Sequence, residues 1–152
     1  MTVPAVRLVP MAAAHIDAVM PYERAMFGSE AWTRGSYRAE LADTRTRTYL
    51  AAEDADGRLL AWGGVRVVAD EAEILTIGVV PEARRRGIAR RLLAALLDVA
   101  RDRGATDAYL EVRVDNEPAH TLYRTEGFAD VGVRRGYYDC GRVDGVTMHR
   151  EL

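Results

Sequence analysis

The chain has 152 residues, 49% hydrophobic and 29% charged, with 21 basic and 23 acidic side chains and a net charge of −2. That length fits one domain, 1–152, burying about two-thirds of its unfolded surface, and the charge balance argues against a direct nucleic-acid binder, whose footprint is basic. All 21 cationic side chains are arginine, which excludes a Schiff-base lysine and a phosphate loop built on lysine.

The pattern begins with a strand, "VRLV" (Val6 to Val9), followed by a helix over 12–27 with Ile16, Val19, Met20 and Ala25 at mostly helical spacing. A second helix is predicted after Trp32, over "TRGSYRAELAD", with Thr33 as its N-cap. "TYLAAED" and "LLAWGGVRVV" read as strands joined at Asp56-Gly57, and "EAEILTIGVV" follows a turn near Asp70-Glu71. These connections are too short for crossovers, so this meander is antiparallel. "PEARRRGIARRLLAALLDVARDRG" carries the strongest helical pattern, with Ile88, Leu92, Leu96 and Val99 on one face, charges on the other, and Gly104 as the stop. "DAYLEVRV" is a buried strand, parallel to the strand before the helix because the connection is a crossover. A short helix runs from Glu117 to Glu126, capped by Asp115 or Asn116, with Pro118 in its first turn and Gly127 after it. Strands over 128–137 and 144–151, around a loop at Asp139 to Asp144, close an α/β domain.

Several chemistries find no residues to support them. Ser29 and Ser36 are the two serines and neither lies in a GxSxG elbow, so a serine hydrolase is not expected. His15, His120 and His149 form no HExxH or His/Cys cluster, so no metal site is expected. Cys140 stands alone, which rules out an internal disulfide and suits a reducing, cytoplasmic location. No apolar run reaches membrane-spanning length. "LVPMAAA" after Arg7 has a faint signal-peptide character, but Pro10, His15 and Asp17 break it, and a strand leading into a helix is the better reading.

"VVPEARRRGIARRLL" sets a strand end, a tight arginine- and glycine-bearing turn and a helix N-terminus in immediate succession. Backbone N–H groups point outward there and the helix dipole adds positive charge. Gly87 allows close approach to the backbone, and Arg84, Arg85 and Arg86 add charge, so a pyrophosphate is the natural guest. The competing reading is a solvated helix start. GxGxxG is absent, so this is no Rossmann fingerprint.

Arg84-x-x-Gly87-x-Ala89 resembles the Q/R-x-x-G-x-G/A acyl-coenzyme A motif of the GNAT superfamily of N-acetyltransferases. "LEVRVDNEPAHTLYRTEGF" is similar to the LEVRxxNxxAxxLYxxxGF signature of the RimI-like ribosomal-protein alanine N-acetyltransferases, and "DEAEILTIGVVP", "RRGYY" and "AWT" resemble other segments of that family. The resemblance covers nearly the whole chain. It implies a mixed sheet of six to seven strands with flanking helices, in which a splayed parallel pair holds acyl-coenzyme A. It also implies acetyl-coenzyme A as co-substrate, a cytoplasmic setting, and as partner a protein N-terminus, alanine on a ribosomal protein. Residue by residue, backbone amides of Arg85, Arg86, Gly87, Ile88 and Ala89, with Arg84, would hold the pyrophosphate. Ile77, Val79 and Val80 would line the pantetheine arm, and Asn116 would contact it or order the adjacent loop. Glu111 would be the general base and Tyr123 the general acid, while Trp32, Tyr137 and Tyr138 would shape the peptide entrance. Ala31 stands where the family often has proline, and Gly136 where it has asparagine, so the substrate-side loops differ in shape.

The residue chemistry agrees with those roles. A peptide α-amine has a pKa of about 7.7–8.0, so modest proton removal by a carboxylate suffices, and a tyrosine O–H is able to serve a departing thiolate. With no cysteine near the motif, direct transfer in a ternary complex is expected. Plainer readings stand beside these: Glu111 paired with Arg113 or another arginine, Tyr123 packed beneath Phe128, Trp32 as a core anchor, and His120 as a surface residue. Among functions, the alternatives are a lysine or small-molecule amine acetyltransferase and a non-catalytic acyl-coenzyme A-binding regulatory module. Glu30, Glu40, Asp70, Glu71 and Glu73 would steer a basic protein substrate.

Overall fold

Seven strands form one sheet in the order β1-β2-β3-β4-β5-β7-β6 in a computed structural model that describes residues 5–152. In chain order the elements are β1 (Arg7–Pro10), α1 (Ala13–Phe27), α2 (Arg34–Ala42), β2 (Arg47–Glu53), β3 (Leu59–Val68), β4 (Glu71–Val79), α3 (Ile88–Asp102), β5 (Asp107–Arg113), α4 (Glu117–Thr125), β6 (Ala129–Tyr138) and β7 (Val143–Glu151). The meander β1 to β4 is antiparallel, β4 and β5 are parallel across the α3 crossover, and β7 inserts antiparallel between β5 and β6. This is the mixed α/β sheet that the period changes along the chain predict.

The helices form where the local signals place them. The Thr33 hydroxyl accepts a hydrogen bond of 3.0 Å from the Ser36 N–H and caps α2. Asn116 Oδ1 accepts from the Ala119 N–H at 3.2 Å and caps α4, with Pro118 in the first turn; Asp115 instead pairs with Arg113. The apolar stripe of α3 buries Ile88, Leu92, Leu93, Leu96 and Leu97 against the sheet. Gly63 on β3 admits that helix, since a Cβ there would lie 3.2 Å from both Leu92 and Leu96. Each such buried leucine contributes roughly 1.5–3 kcal/mol. On the opposite side, α1 and α2 close over a chain of buried polar groups in which Trp62 Nε1 donates to Tyr37 Oη at 2.9 Å and the Tyr37 hydroxyl donates to Glu23.

Three expectations are corrected. The helix does not begin at Pro81: Pro81–Ala83 forms a short 3-10 turn and α3 starts at Ile88, because Arg85 (φ +64°) and Gly87 (φ +74°) are left-handed and interrupt the helical path. His120 is no surface residue; it is buried on α4 and its Nε2 lies 2.7 Å from Asp130 Oδ1. Strand limits move by about one residue at β1, β2, β6 and β7. No described helix is long and apolar enough to cross a membrane.

Candidate active site

The parallel ladder between β4 and β5 is short, running from Glu71 opposite Asp107 to Glu73 opposite Tyr109. Beyond it the strands part. Leu75 is an extra residue on β4, lying between the pairs Gly64–Thr76 and Val65–Ile74 with β3, and such a bulge bends its strand. The edge of β4 facing β5 is therefore left without strand partners from Ile74 onward, while its other edge stays paired to β3 as far as Val79. A cavity of about 460 Å³ occupies the wedge, floored by both strands and walled by α1, the segment before α2, and α4.

Glu111 enters this cavity from β5. Its cationic partner is not Arg113 but another arginine: Arg134 Nη1 donates to its Oε1 at 3.3 Å, and Thr147 Oγ1 donates to its Oε2 at 2.7 Å, so the plainer reading of a paired carboxylate holds alongside the catalytic one. The Arg134 guanidinium also lies 4.4 Å from the centre of the Tyr137 ring, linking the carboxylate to the "RRGYY" segment. Tyr123 reaches the same cavity from α4, with its ring edge-on to Phe128 at 6.1 Å. Its hydroxyl has no hydrogen-bond partner among the described residues, and burial pushes its pKa up to about 12, so it stays protonated at neutral pH. The plain packing reading of Tyr123 thus holds for its ring and leaves the polar end free.

At the far end of β4 the chain makes the arginine-rich turn. No side chain caps α3, and the N–H groups of Arg85, Arg86, Gly87, Ile88 and Ala89 find no acceptor among the described residues. Alternation of left-handed and ordinary backbone over Arg85 to Gly87 aims successive N–H groups to one side, an anion-binding concavity. A Cβ on Gly87 would meet nothing within 4 Å, so the space in front of the turn is open. Arg84, Arg85 and Arg86 are exposed around it, while the Val80 and Ile88 side chains belong to the core. This cradle fits a diphosphate, and the free edge of β4 fits an extended amide-bearing arm. Ile77 lines the cavity and Val79 does not. Asn116 lines it while capping α4.

On the acceptor side, Trp32 lines the cavity and packs on Tyr37 with ring centres 5.1 Å apart, so it is both core anchor and cavity wall. Tyr138 lines the cavity and Tyr137 is 47% exposed, as alternation along a strand requires.

The sequence profile of the acetyltransferase (GNAT) family matches residues 16–128. The chain belongs to the GNAT acetyltransferase family. This GNAT protein, an acyltransferase, is 42% identical over 128 residues to the N-alpha-acetyltransferase RimI of Mycobacterium tuberculosis, covering 82% of this chain and 78% of that one. It is 34% identical over 133 residues to a Bacillus subtilis protein described as a putative ribosomal protein bS18-alanine N-acetyltransferase, covering 88% of this chain and 87% of that one. The crystal structure of the Escherichia coli ribosomal-protein-S18-alanine N-acetyltransferase superposes with a TM-score of 0.84 at 26% identity, covering 97% of this chain and 94% of that one.

The GNAT cavity also holds groups that the sequence alone did not single out. Glu23, 1% exposed, accepts from the Trp32 N–H at 3.1 Å and from the Tyr37 hydroxyl, and burial raises its pKa above the ordinary carboxylate range. Thr147, also not singled out, faces Glu111 across the ladder and lines a neighbouring recess with Arg134. Four carboxylates, Glu23, Glu30, Glu111 and Asp115, line the GNAT cavity against one cation, Arg113.

Proposed function

We propose that this protein transfers the acetyl group of acetyl-coenzyme A to the α-amino group of a protein N-terminus, alanine on a ribosomal protein, by direct attack within a ternary complex. One observation carries this reading: Glu111 and Tyr123 line a single cavity between strands that part beside an uncapped helix N-terminus. The relatives' names, bS18-alanine N-acetyltransferases, support the choice of acceptor, and a ribosomal acceptor implies a cytoplasmic enzyme.

When bound, acetyl-coenzyme A supplies an acyl group activated as a thioester. The turn from Arg84 to Ala89 holds the diphosphate through backbone N–H groups, and Ile77 and Val79 present the free edge of β4 to the pantetheine arm, whereas the Val80 N–H is engaged by Leu60 O at 3.0 Å on the β3 side. Glu111 takes the proton from the attacking amine, directly or through one water. The excess of carboxylates along the cavity draws in the amine as an ammonium. Tyr123, held protonated by burial, donates a hydrogen bond to the departing sulfur. Because a thiol ionises near 8.5, well below Tyr123, this donation lowers the charge on sulfur and need not complete the proton transfer. A lysine side chain, with a pKa of about 10.4, requires more proton removal than an α-amine.

The test is competition, read by mass spectrometry, among an alanine-initiated peptide with a basic sequence, the same peptide blocked at its N-terminus but bearing lysine, and a polyamine. Acetylation at the α-nitrogen is the expected dominant product. Faster turnover of the lysine side chain or the polyamine would overturn the assignment of acceptor, and no turnover with intact coenzyme A binding would favour a binding module.

A further inference from the structure

Two turns flank the mouth of the reaction cavity: a 3-10 turn, Gly28–Glu30, between α1 and α2, and another, Asp139–Gly141, between β6 and β7. They lie more than a hundred residues apart in sequence, and a single side chain joins them. The Glu30 carboxylate accepts the backbone N–H of Asp139 on one oxygen and Arg113 Nη1, at 3.3 Å, on the other. Arg113 in turn forks onto Asp115 with bonds of 2.9 and 3.0 Å, and its guanidinium lies 5.8 Å from the centre of the Tyr138 ring. Asp115 directly precedes the cap of α4, the helix that carries Tyr123. One carboxylate therefore ties together the α1–α2 turn, the end of β5 and the β6–β7 turn.

The second turn needs such a support. Asp139 (φ +52°) and Cys140 (φ +54°) both adopt left-handed backbone without being glycine, a conformation that persists only where the surroundings hold it. Gly28 opens the first turn, Gly136 precedes the second and Gly141 ends it, all with positive φ, and they supply pivots. Glu30 itself lines the cavity and is one-quarter exposed, so it sits at the aperture and not in the core.

We propose that Glu30 is a positioning residue that latches the α1–α2 turn to the β6–β7 turn and so sets the aperture through which the acceptor enters. The identity of that acceptor rests on the acetyl-transfer reading above; the latch does not. Closed, it holds Tyr138 and the Trp32 segment in register around an extended chain end. Released, the two turns move independently and the acceptor loses its fixed approach, while the diphosphate turn at the other end of β4 is untouched.

The experiment compares Glu30→Ala and Glu30→Gln with the wild type in three measurements: steady-state kinetics on an alanine-initiated peptide, acetyl-coenzyme A binding, and backbone hydrogen exchange. Glu30→Ala is expected to raise KM for the peptide about tenfold, more than any fall in kcat, the scale of one lost charge-assisted hydrogen bond. Acetyl-coenzyme A affinity should stay within about twofold. Exchange should accelerate in both turns, 28–32 and 136–142. Glu30→Gln keeps an oxygen for the Asp139 N–H and should recover KM to within about threefold. Unchanged exchange in the turns would overturn the latch, as would an equal loss of kcat and cofactor affinity, or a glutamine variant as impaired as alanine. Should the wild type acetylate no amine, the functional reading falls, and exchange still decides the latch.

Discussion

Glu111 and Thr147 face each other across the β5–β7 ladder, and the threonine hydroxyl donates a 2.7 Å hydrogen bond to the glutamate carboxylate. The pairing fixes which oxygen of Glu111 is engaged and leaves the Arg134 contact, longer at 3.3 Å and half-exposed, as the adjustable one. Thr147→Val keeps the shape and removes the donor. It should lower kcat about tenfold while leaving acetyl-coenzyme A affinity unchanged, and Thr147→Ser should restore most of the rate. Steady-state kinetics alongside calorimetry checks this; a valine variant with wild-type kcat would show that Glu111 needs no such orientation.

Gly87 offers a separation of fold from ligand. A side chain there meets no protein atom within 4 Å, so Gly87→Val costs the fold only its left-handed backbone, on the order of 1–2 kcal/mol and a few degrees in Tm. The same side chain fills the space in front of the uncapped helix. Acetyl-coenzyme A affinity is expected to fall by about tenfold or more in calorimetric titration. Unchanged affinity would move the diphosphate site away from this turn.

Glu23 makes stability depend on pH in an unusual direction. Burial raises its folded pKa above the unfolded value, so the folded state binds the proton more tightly. Its contribution is therefore fully present below the ordinary glutamate range and is lost as pH rises through the raised pKa. Thermal melts across the acidic range should show the wild type losing stability relative to Glu23→Gln as pH rises through that interval. A difference independent of pH would contradict the buried-acid account.

Much of this arrangement was legible from residue patterns, and the remainder was hidden for identifiable reasons. Thr33, Asn116, Pro118 and Gly104 act through local chemistry, and each behaves as its type predicts. The parallel pairing of β4 with β5 follows from the length of the α3 crossover. The bulge at Leu75 is invisible because one more apolar residue in an apolar strand leaves no mark. Glu23 looks like an ordinary outward charge on α1, and only the closure of α2 over it makes it a buried acid. His120 reads as a surface residue for a similar reason: Asp130, its partner, arrives from β6 after the intervening turn. Thr147 reads simply as a β-branched strand former, and its role appears only once the register against Glu111 is known. Glu30 shows its bonding only when two distant turns meet.

The central claim is that the Glu111 carboxylate relieves the attacking amine of its proton inside the wedge between β4 and β5. Single-turnover acetyl transfer to an alanine-initiated peptide, started from Glu111→Gln already loaded with acetyl-coenzyme A, tests it most directly. The account predicts loading equal to that of the wild type and a transfer rate lower by roughly 10²-fold. A variant that loads normally and transfers at the wild-type rate would contradict it.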